Sequence, residues 1–353
     1  MRATGPAVRV LVCDDSLAVR GALCRLVGSD PALALAGRAA DGAEAVRQVA
    51  LLKPDVLVLD IEMPVLDGLA ALPELLRRHP ALRVLMVSTL TTRGAEITLR
   101  ALCAGAADYI AKPGSATDLA AAGGFRDEFL AKLRALGGRR AAAPGAPPMP
   151  LRPAPPAPAR PPRVLAIGSS TGGPQALLSL FGALPKDFPL PVVLTQHMPK
   201  TFTVILAEHI TRLGGLVCRE AVDGAPLRPG QALLAPGDRH LLVEPAGDGL
   251  AARLSDSPPE NFCRPAVDPM LRSLAAATRG RTLAVILTGM GHDGLAGSRV
   301  LVEAGGQVLA QDEASSVVWG MPGAVAKAGL AHAVLPIGAI AAKLGELAGL
   351  HPS

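Results

Sequence analysis

Asp14 and Asp15 close the apolar run VRVLVC, Asp60 closes VLVL, Ser88 ends RVLMVS, and Lys112 follows DYIA. Three carboxylates brought together repel one another unless a hard cation compensates, and oxygen ligands with retained water suit Mg²⁺. A cation beside Asp60 would also neutralise an incoming phosphoryl group, with Lys112 contacting its oxygens and Ser88 donating a hydrogen bond. Asp60 is then the phosphoryl acceptor. Singly, each residue has a plainer role, since strand-end aspartates cap helices and Lys-Pro marks turns. Their joint placement points to a site.

A second stretch, VLAIGSSTGGPQAL at 164–177, runs from aliphatic residues into a turn of glycines and hydroxyls. Such a loop can cradle a phosphate on converging backbone N–H groups. It also fits G-x-S-x-G, with Ser170 held as a nucleophile on a sharp strand-to-helix turn. Nucleotide binding needs G-x-G-x-x-G with an acidic residue about 20 positions on, or a loop closed by Gly-Lys-Ser/Thr, and neither pattern is present. Hydrolysis needs a base for the serine proton and a carboxylate to orient it. His197 after VVLTQ and Asp293 in TGMGHDG both follow apolar strands and belong at the same sheet edge as Ser170. His292 adjoins the aspartate and stays open as the base. His209 lies in a helical pattern, His240 in a hairpin-like region, and His332 and His351 near the C-terminus. The glycines around Met290 permit close backbone approach, so its N–H can receive an oxyanion, aided by main-chain amides near Thr171 at the helix start.

Both clusters need strand ends to hold them, and the chain supplies two segments of alternating apolar runs and helical patterns. Continuous runs such as VRVLVC and LAVIL predict parallel strands covered on both faces by helices, with sites at their carboxyl ends. Between the segments, 137–163 is dominated by Pro, Ala and Arg and reads as an extended, semi-rigid spacer. The expected division is a first domain at 1–130, a linker at 131–162 and a second domain at 163–350. No apolar run reaches the roughly 20 residues of a membrane span. No secretory leader is legible at the N-terminus, which predicts a cytoplasmic protein without membrane insertion. Five cysteines without C-x-x-C spacing suggest neither a disulfide framework nor zinc and read as small buried apolar residues. The net charge is +5, but some basic residues lie in the linker, and six Phe, one Tyr and one Trp leave little to stack on bases. Nucleic acid is therefore not an expected partner.

The motifs CDDS, LDIEMPVLDGL, VLMVST and YIAKPG resemble the receiver domains of two-component response regulators. The resemblance implies a flavodoxin-like, five-stranded parallel sheet and phosphoryl transfer from a histidine kinase to Asp60. It implies Mg²⁺ held by Asp14, Asp15, Asp60 and the Glu62 carbonyl, and a switch in which Tyr109 follows Ser88. AIGSSTGGPQAL, TQHMP, CRPAVDPML, LTGMGHDG and QDEASSVVWGMPGAV look like the catalytic domain of chemotaxis-type protein-glutamate methylesterases, an α/β doubly wound, mostly parallel fold. That likeness implies Ser170 as nucleophile, His197 as base, Asp293 as its orienting partner, Met290 as an oxyanion amide, and Thr171 and Gly172 completing the turn. It also implies no cofactor in that domain, and methylated chemoreceptor helices as substrate for demethylation and for deamidation of glutamines. Ser169 departs from the family's usual alanine and by register points away from the cleft. Trp319 reads as packing beneath the site. Arg264 and Asp268 read either as a border of the cleft or as a helix start. The rival class is a non-enzymatic regulator with a partner- or ligand-binding second domain.

Overall fold

The computed structural model describes residues 6–88, 91–112, 123–138 and 160–350, so the expected linker lies largely outside the described residues. The chain divides into two compact units. In the first, β1 (Val8–Cys13), β2 (Leu33–Ala39), β3 (Val56–Asp60), β4 (Arg83–Ser88) and β5 (Asp108–Ala111) form a parallel sheet in the order β2-β1-β3-β4-β5. β1 and β3 are apolar along both faces, and Val10, Leu11, Val12, Val56, Leu57, Val58 and Leu59 are fully buried, as helices on either side require. Ser16, Asp41, Asp67 and Thr91 each cap a following helix with a side-chain oxygen. The last helix of this unit, Gly123–Gly137, crosses the boundary expected at 130. Phe129, Leu133 and Leu136 are buried, so the folded unit continues where composition placed the linker.

The second unit is built on seven parallel strands: β6 (Val164–Ser169), β7 (Val192–Gln196), β8 (Val217–Glu220), β9 (Gln231–Leu234), β12 (Thr282–Ile286), β13 (Gln307–Gln311) and β14 (Ala333–Leu335). Their order is β14-β13-β12-β6-β7-β9-β8. A separate antiparallel pair, β10 (His240–Ala246) and β11 (Gly249–Ser255), accounts for the hairpin-like stretch around His240. The chain leaves β6 toward β7 on one side and returns to β12 on the other, so the sheet changes winding direction between β6 and β12. Sheets of this kind place ligand sites at that crevice. The loops after β6 and β12 carry Ser170 and the Gly289–Asp293 segment.

Not all cysteines fit the expectation of small buried residues. Cys13, Cys24 and Cys218 are buried, but Cys103 is exposed and Cys263 is only partly covered.

Candidate active site and acidic pocket

In the first unit, the register of β1 against β3 pairs Cys13 with Leu59 and so brings the next residues, Asp14 and Asp60, to one edge. Both carboxylates are buried, whereas Asp15 is exposed, and one oxygen from each of the three lies within 4.8 Å of the others. Lys112 reaches in from the end of β5, its Nζ 2.6 Å from Asp60 Oδ2 and 2.8 Å from Asp14 Oδ2. Burial pushes the Asp60 carboxyl up to about 6 even though Lys112 and the Ile61 N–H pull it down. Asp14 Oδ2 is buried, and the Lys112 ammonium is its one partner among the described residues. Three carboxylates converging on one point against a single ammonium form an all-oxygen cluster that fits a hard divalent cation. Asp15, Asp60, Glu62, Ser88 and Lys112 line one cavity of about 380 Å³. Ser88 Oγ sits 2.7 Å from Thr98 Oγ1. Tyr109 is buried, with Lys132 Nζ 5.2 Å from the centre of its ring. Burial and the nearby Asp108 and Glu128 raise its phenol well above the ordinary value.

In the second unit the backbone turns sharply after β6, and Gln196 holds that turn. Its Nε2 donates to the Ser170 carbonyl at 3.0 Å and its Oε1 accepts from Ser169 Oγ at 2.7 Å. Ser169 is fully buried, its hydroxyl spent on this amide. A Cβ at Gly173 would stand 1.9 Å from Gln196 Oε1, so any larger residue at the start of the helix Gly173–Ala183 would displace the amide that holds the turn. A Cβ at Gly289 would come within 2.9 Å of Ser170 Cβ, which sets the serine directly against the loop after β12. Met290 follows, and its N–H donates to no acceptor among the described residues.

The His197 N–H donates to the Ser169 carbonyl at 3.1 Å, extending the β6–β7 ladder past the strand ends. The ring's Nε2 donates to Asp293 Oδ2 at 2.8 Å. Asp293 is almost wholly buried and accepts the N–H groups of Val267 and Asp268, which open the helix Val267–Thr278, as well as those of Gly294 and the Asn261 amide. A carboxylate at a helix N-terminus is favoured by the exposed N–H groups and the axial dipole. Burial alone would raise Asp293. Its hydrogen bonds to His197 and to the two backbone amides outweigh that and hold it below the ordinary range. Burial alone would likewise lower His197, but Asp293 and the Cys263 sulfur lift it to about 10.

Three participants were not expected from sequence. Gln196 and Cys263 stand in the TQHMP and CRPAVDPML motifs without an assigned role, Asn261 lies outside them, and only the tertiary fold brings the three to the site. Cys263 Sγ lies 3.3 Å from His197 Nδ1. That nitrogen is the one left after Nε2 is committed to Asp293, and no hydrogen bond joins Ser170 to His197 in this arrangement. His292 is exposed. His240 is buried and satisfied, its Nδ1 accepting from the Ala266 N–H and its Nε2 meeting the Pro258 carbonyl. Asp268 belongs to both alternatives expected for it. It starts a helix, and its carboxylate accepts from Gly297 N–H and Asn261 Nδ2 beside Asp293.

Residues 165–344 match the family described as CheB methylesterase, and residues 10–123 match the response regulator receiver domain. A protein of Paramagnetospirillum magneticum named protein-glutamate methylesterase/protein-glutamine glutaminase 1 is 50% identical over 367 residues, covering 97% of this chain and 96% of its own. A protein-glutamate methylesterase/protein-glutamine glutaminase of Azospirillum brasilense is 50% identical over 95% of this chain and 91% of its own. The crystal structure of the Thermotoga maritima CheB methylesterase catalytic domain is 43% identical and covers 53% of this chain and 98% of its own, with a TM-score of 0.52. No helix among the described residues is long and apolar enough to cross a membrane. With a receiver domain in front and a serine turn, histidine and buried aspartate behind it, the chain belongs to the CheB methylesterase family.

Proposed function

We propose that this chain is a phosphorylation-controlled esterase that removes methyl groups from glutamyl side chains of chemoreceptors and deamidates receptor glutamines. The observation that carries the reading is the His197–Asp293 pair at the crevice where the Ser170 turn sits against the Met290 loop. Ser170 Oγ attacks the ester carbonyl, and His197 takes the hydroxyl proton. The Met290 N–H, with an amide near Thr171, receives the developing oxyanion. His197 then returns the proton to the departing methoxide oxygen, which leaves as methanol, or to the amide nitrogen of a glutamine, which leaves as ammonia, and an acyl group remains on Ser170. Water activated by the same imidazole releases the carboxylate. Because Asp293 commits Nε2, Nδ1 is the nitrogen open to this work. Cys263 must yield it when Ser170 and substrate come together, and such bonds commonly tighten only in the complex. No step calls for a cofactor in this domain.

In the receiver, Asp60 accepts the phosphoryl group from a histidine kinase, with Lys112 and Ser88 lining its approach. Asp14, Asp15, Asp60 and the Glu62 carbonyl would hold Mg²⁺, which neutralises charge on the transferring group. Ser88 and Tyr109 carry the switch. The receiver is assigned to 1–130 plus the remainder of the helix ending at Gly137, the catalytic domain to 163–350, and the working site is cytoplasmic, acting on receptor helices without entering the membrane or binding nucleic acid. The test is methanol release from methylated receptor membranes, compared between wild type and Ser170→Ala, with and without a small-molecule phosphodonor and Mg²⁺. Release by the wild type that rises with phosphodonor and vanishes in the variant is expected. Equal release by the variant would sink the reading.

A further inference from the structure

Residues Glu260–Cys263 form a tight turn, with Glu260 N–H to the Cys263 carbonyl at 3.1 Å and the reverse bond at 2.8 Å. Its two central residues, Asn261 and Phe262, have φ of 51° and 63°. This is the left-handed region, where turns of this kind favour Asn and Gly and a bulky side chain is strained. Position 262 nonetheless carries phenylalanine, and its side chain is fully exposed, at 104%. Neither packing nor backbone preference explains an aromatic ring there.

The turn is anchored on both sides of that ring. Asn261 donates to Asp293 and to Asp268, and Cys263 faces His197 Nδ1. Glu260 is ion-paired with Arg272, so the tip carries no free charge. Phe262 is thus a rigidly mounted, uncharged apolar knob between the residues that touch the proposed base and its aspartate.

We infer that Phe262 is a docking residue for the macromolecular substrate, packing against the apolar surface of the receptor helix that carries the neutral methyl ester. This rests on the proposed esterase reading. A small ester reaching Ser170 has no helix to lay on the ring, whereas a receptor segment does. Aromatic residues mounted at low entropic cost commonly dominate such contacts.

The experiment compares Phe262→Gly, Phe262→Ala and Phe262→Leu on two probes, methylated receptor membranes and p-nitrophenyl acetate. Glycine suits the measured φ, so Phe262→Gly keeps the turn and its thermal midpoint is expected not to fall. The expected result is a rise of about tenfold in KM for receptor demethylation in the Gly and Ala variants with kcat nearly unchanged, an interaction lost equally from ground and transition states. Phe262→Leu should recover most of it, and hydrolysis of p-nitrophenyl acetate should stay at the wild-type rate in all three. Parallel loss on both probes would overturn the inference, because the turn would then act only by holding Asp293 and His197. Unchanged receptor kinetics, or an altered oligomeric state as the sole effect, would overturn it too. A wild type that cleaves p-nitrophenyl acetate but releases no methanol from receptors overturns the esterase reading along with it, whereas wild-type receptor activity with an indifferent Phe262→Gly overturns the docking role alone.

Discussion

Asp60 and Asp293 are the same residue type, both buried at the carboxyl edge of a parallel sheet, and they are driven in opposite directions. Asp60 has one backbone N–H and one lysine, and burial wins, lifting it to about 6. Asp293 gathers three backbone amides, a side-chain amide and an imidazole, and burial loses. The donors and charges around a carboxylate, rather than its depth alone, decide which way its titration moves, and the neighbouring Asp14 adds to the rise at Asp60. The difference matches the proposed tasks. A phosphoryl acceptor must keep lone pairs open, and each Asp60 oxygen accepts a single donor, while an orienting carboxylate must stay ionised and still.

The comparison breaks most visibly at the nucleophile. Ser170→Ala and His197→Ala are each expected to lower kcat by about 10⁴-fold or more, and the double variant to lose little beyond either, since such residues act as a unit. Steady-state rates on one ester would decide it, and a fully additive double variant would contradict a shared mechanism. In the receiver, Asp60→Ala should abolish the response to phosphodonor and leave basal esterase activity intact.

A smaller effect tests the donor count directly. Asn261→Ala removes one of the bonds to Asp293 and should lower kcat/KM by about tenfold through loss of orientation, with KM for a small ester little changed. Gln196→Ala strips partners from Ser169 Oγ and the Ser170 carbonyl, so a loss of stability of about 1–3 kcal/mol is expected in urea melts.

The pH dependences differ in sign between the two aspartates. His197 must be neutral to act as a base, so activity should climb with pH toward its value of about 10. Cys263→Ala removes a group that raises it and should move that acidic limb to lower pH, which a kcat/KM profile on a small ester would read. Because the folded His197 lies above its ordinary 6.5, its contribution to stability is complete below that value and is lost as pH rises through about 10. Asp293, held low, contributes above the ordinary carboxylate range and loses that contribution as pH falls through its folded value. Asp60 is raised, so its protonated form is the one the fold favours, and its contribution is lost as pH rises from 3.8 through about 6. The least of the expected effects follows. Mg²⁺ competes with that proton, so it should raise the receiver's thermal midpoint more at pH 8 than at pH 5, and Asp14→Asn should erase the difference.

The central strands were legible in the sequence because burial on both faces leaves them continuous apolar runs with polar residues only near their ends, as in β1, β3, β6 and β12. The strands that went unread, β2, β8 and β14, border sheets, and β8 alternates exposed and buried residues as VCRE. An edge strand meets solvent and carries the polar residues that obscure it. Ser170, His197, Asp293 and the acidic cluster stood out because chemistry-bearing residues at the ends of apolar runs are few. Gln196, Asn261 and Cys263 did not, since an amide or thiol becomes informative only when the fold shows what it touches. The depth of Tyr109 was not legible either, because burial of a strand-end ring depends on the helix laid over it.

The pairing of His197 with Asp293 spans 96 positions, and the strand leading to the aspartate, β12, must find its partner β6 across an even longer interval. During synthesis the serine turn and the histidine therefore leave the ribosome long before the residue that orients them. A nascent chain that ends short of β12 holds Ser170 and His197 with neither Asp293 nor the Met290 loop. Hydrolytic competence is thereby deferred until the sheet closes, and a prematurely terminated polypeptide cannot act as an unregulated fragment. Non-local closure of this kind slows folding. Here the closure of β12 on β6 is also the step that brings Asp293 and the Met290 loop to the serine turn.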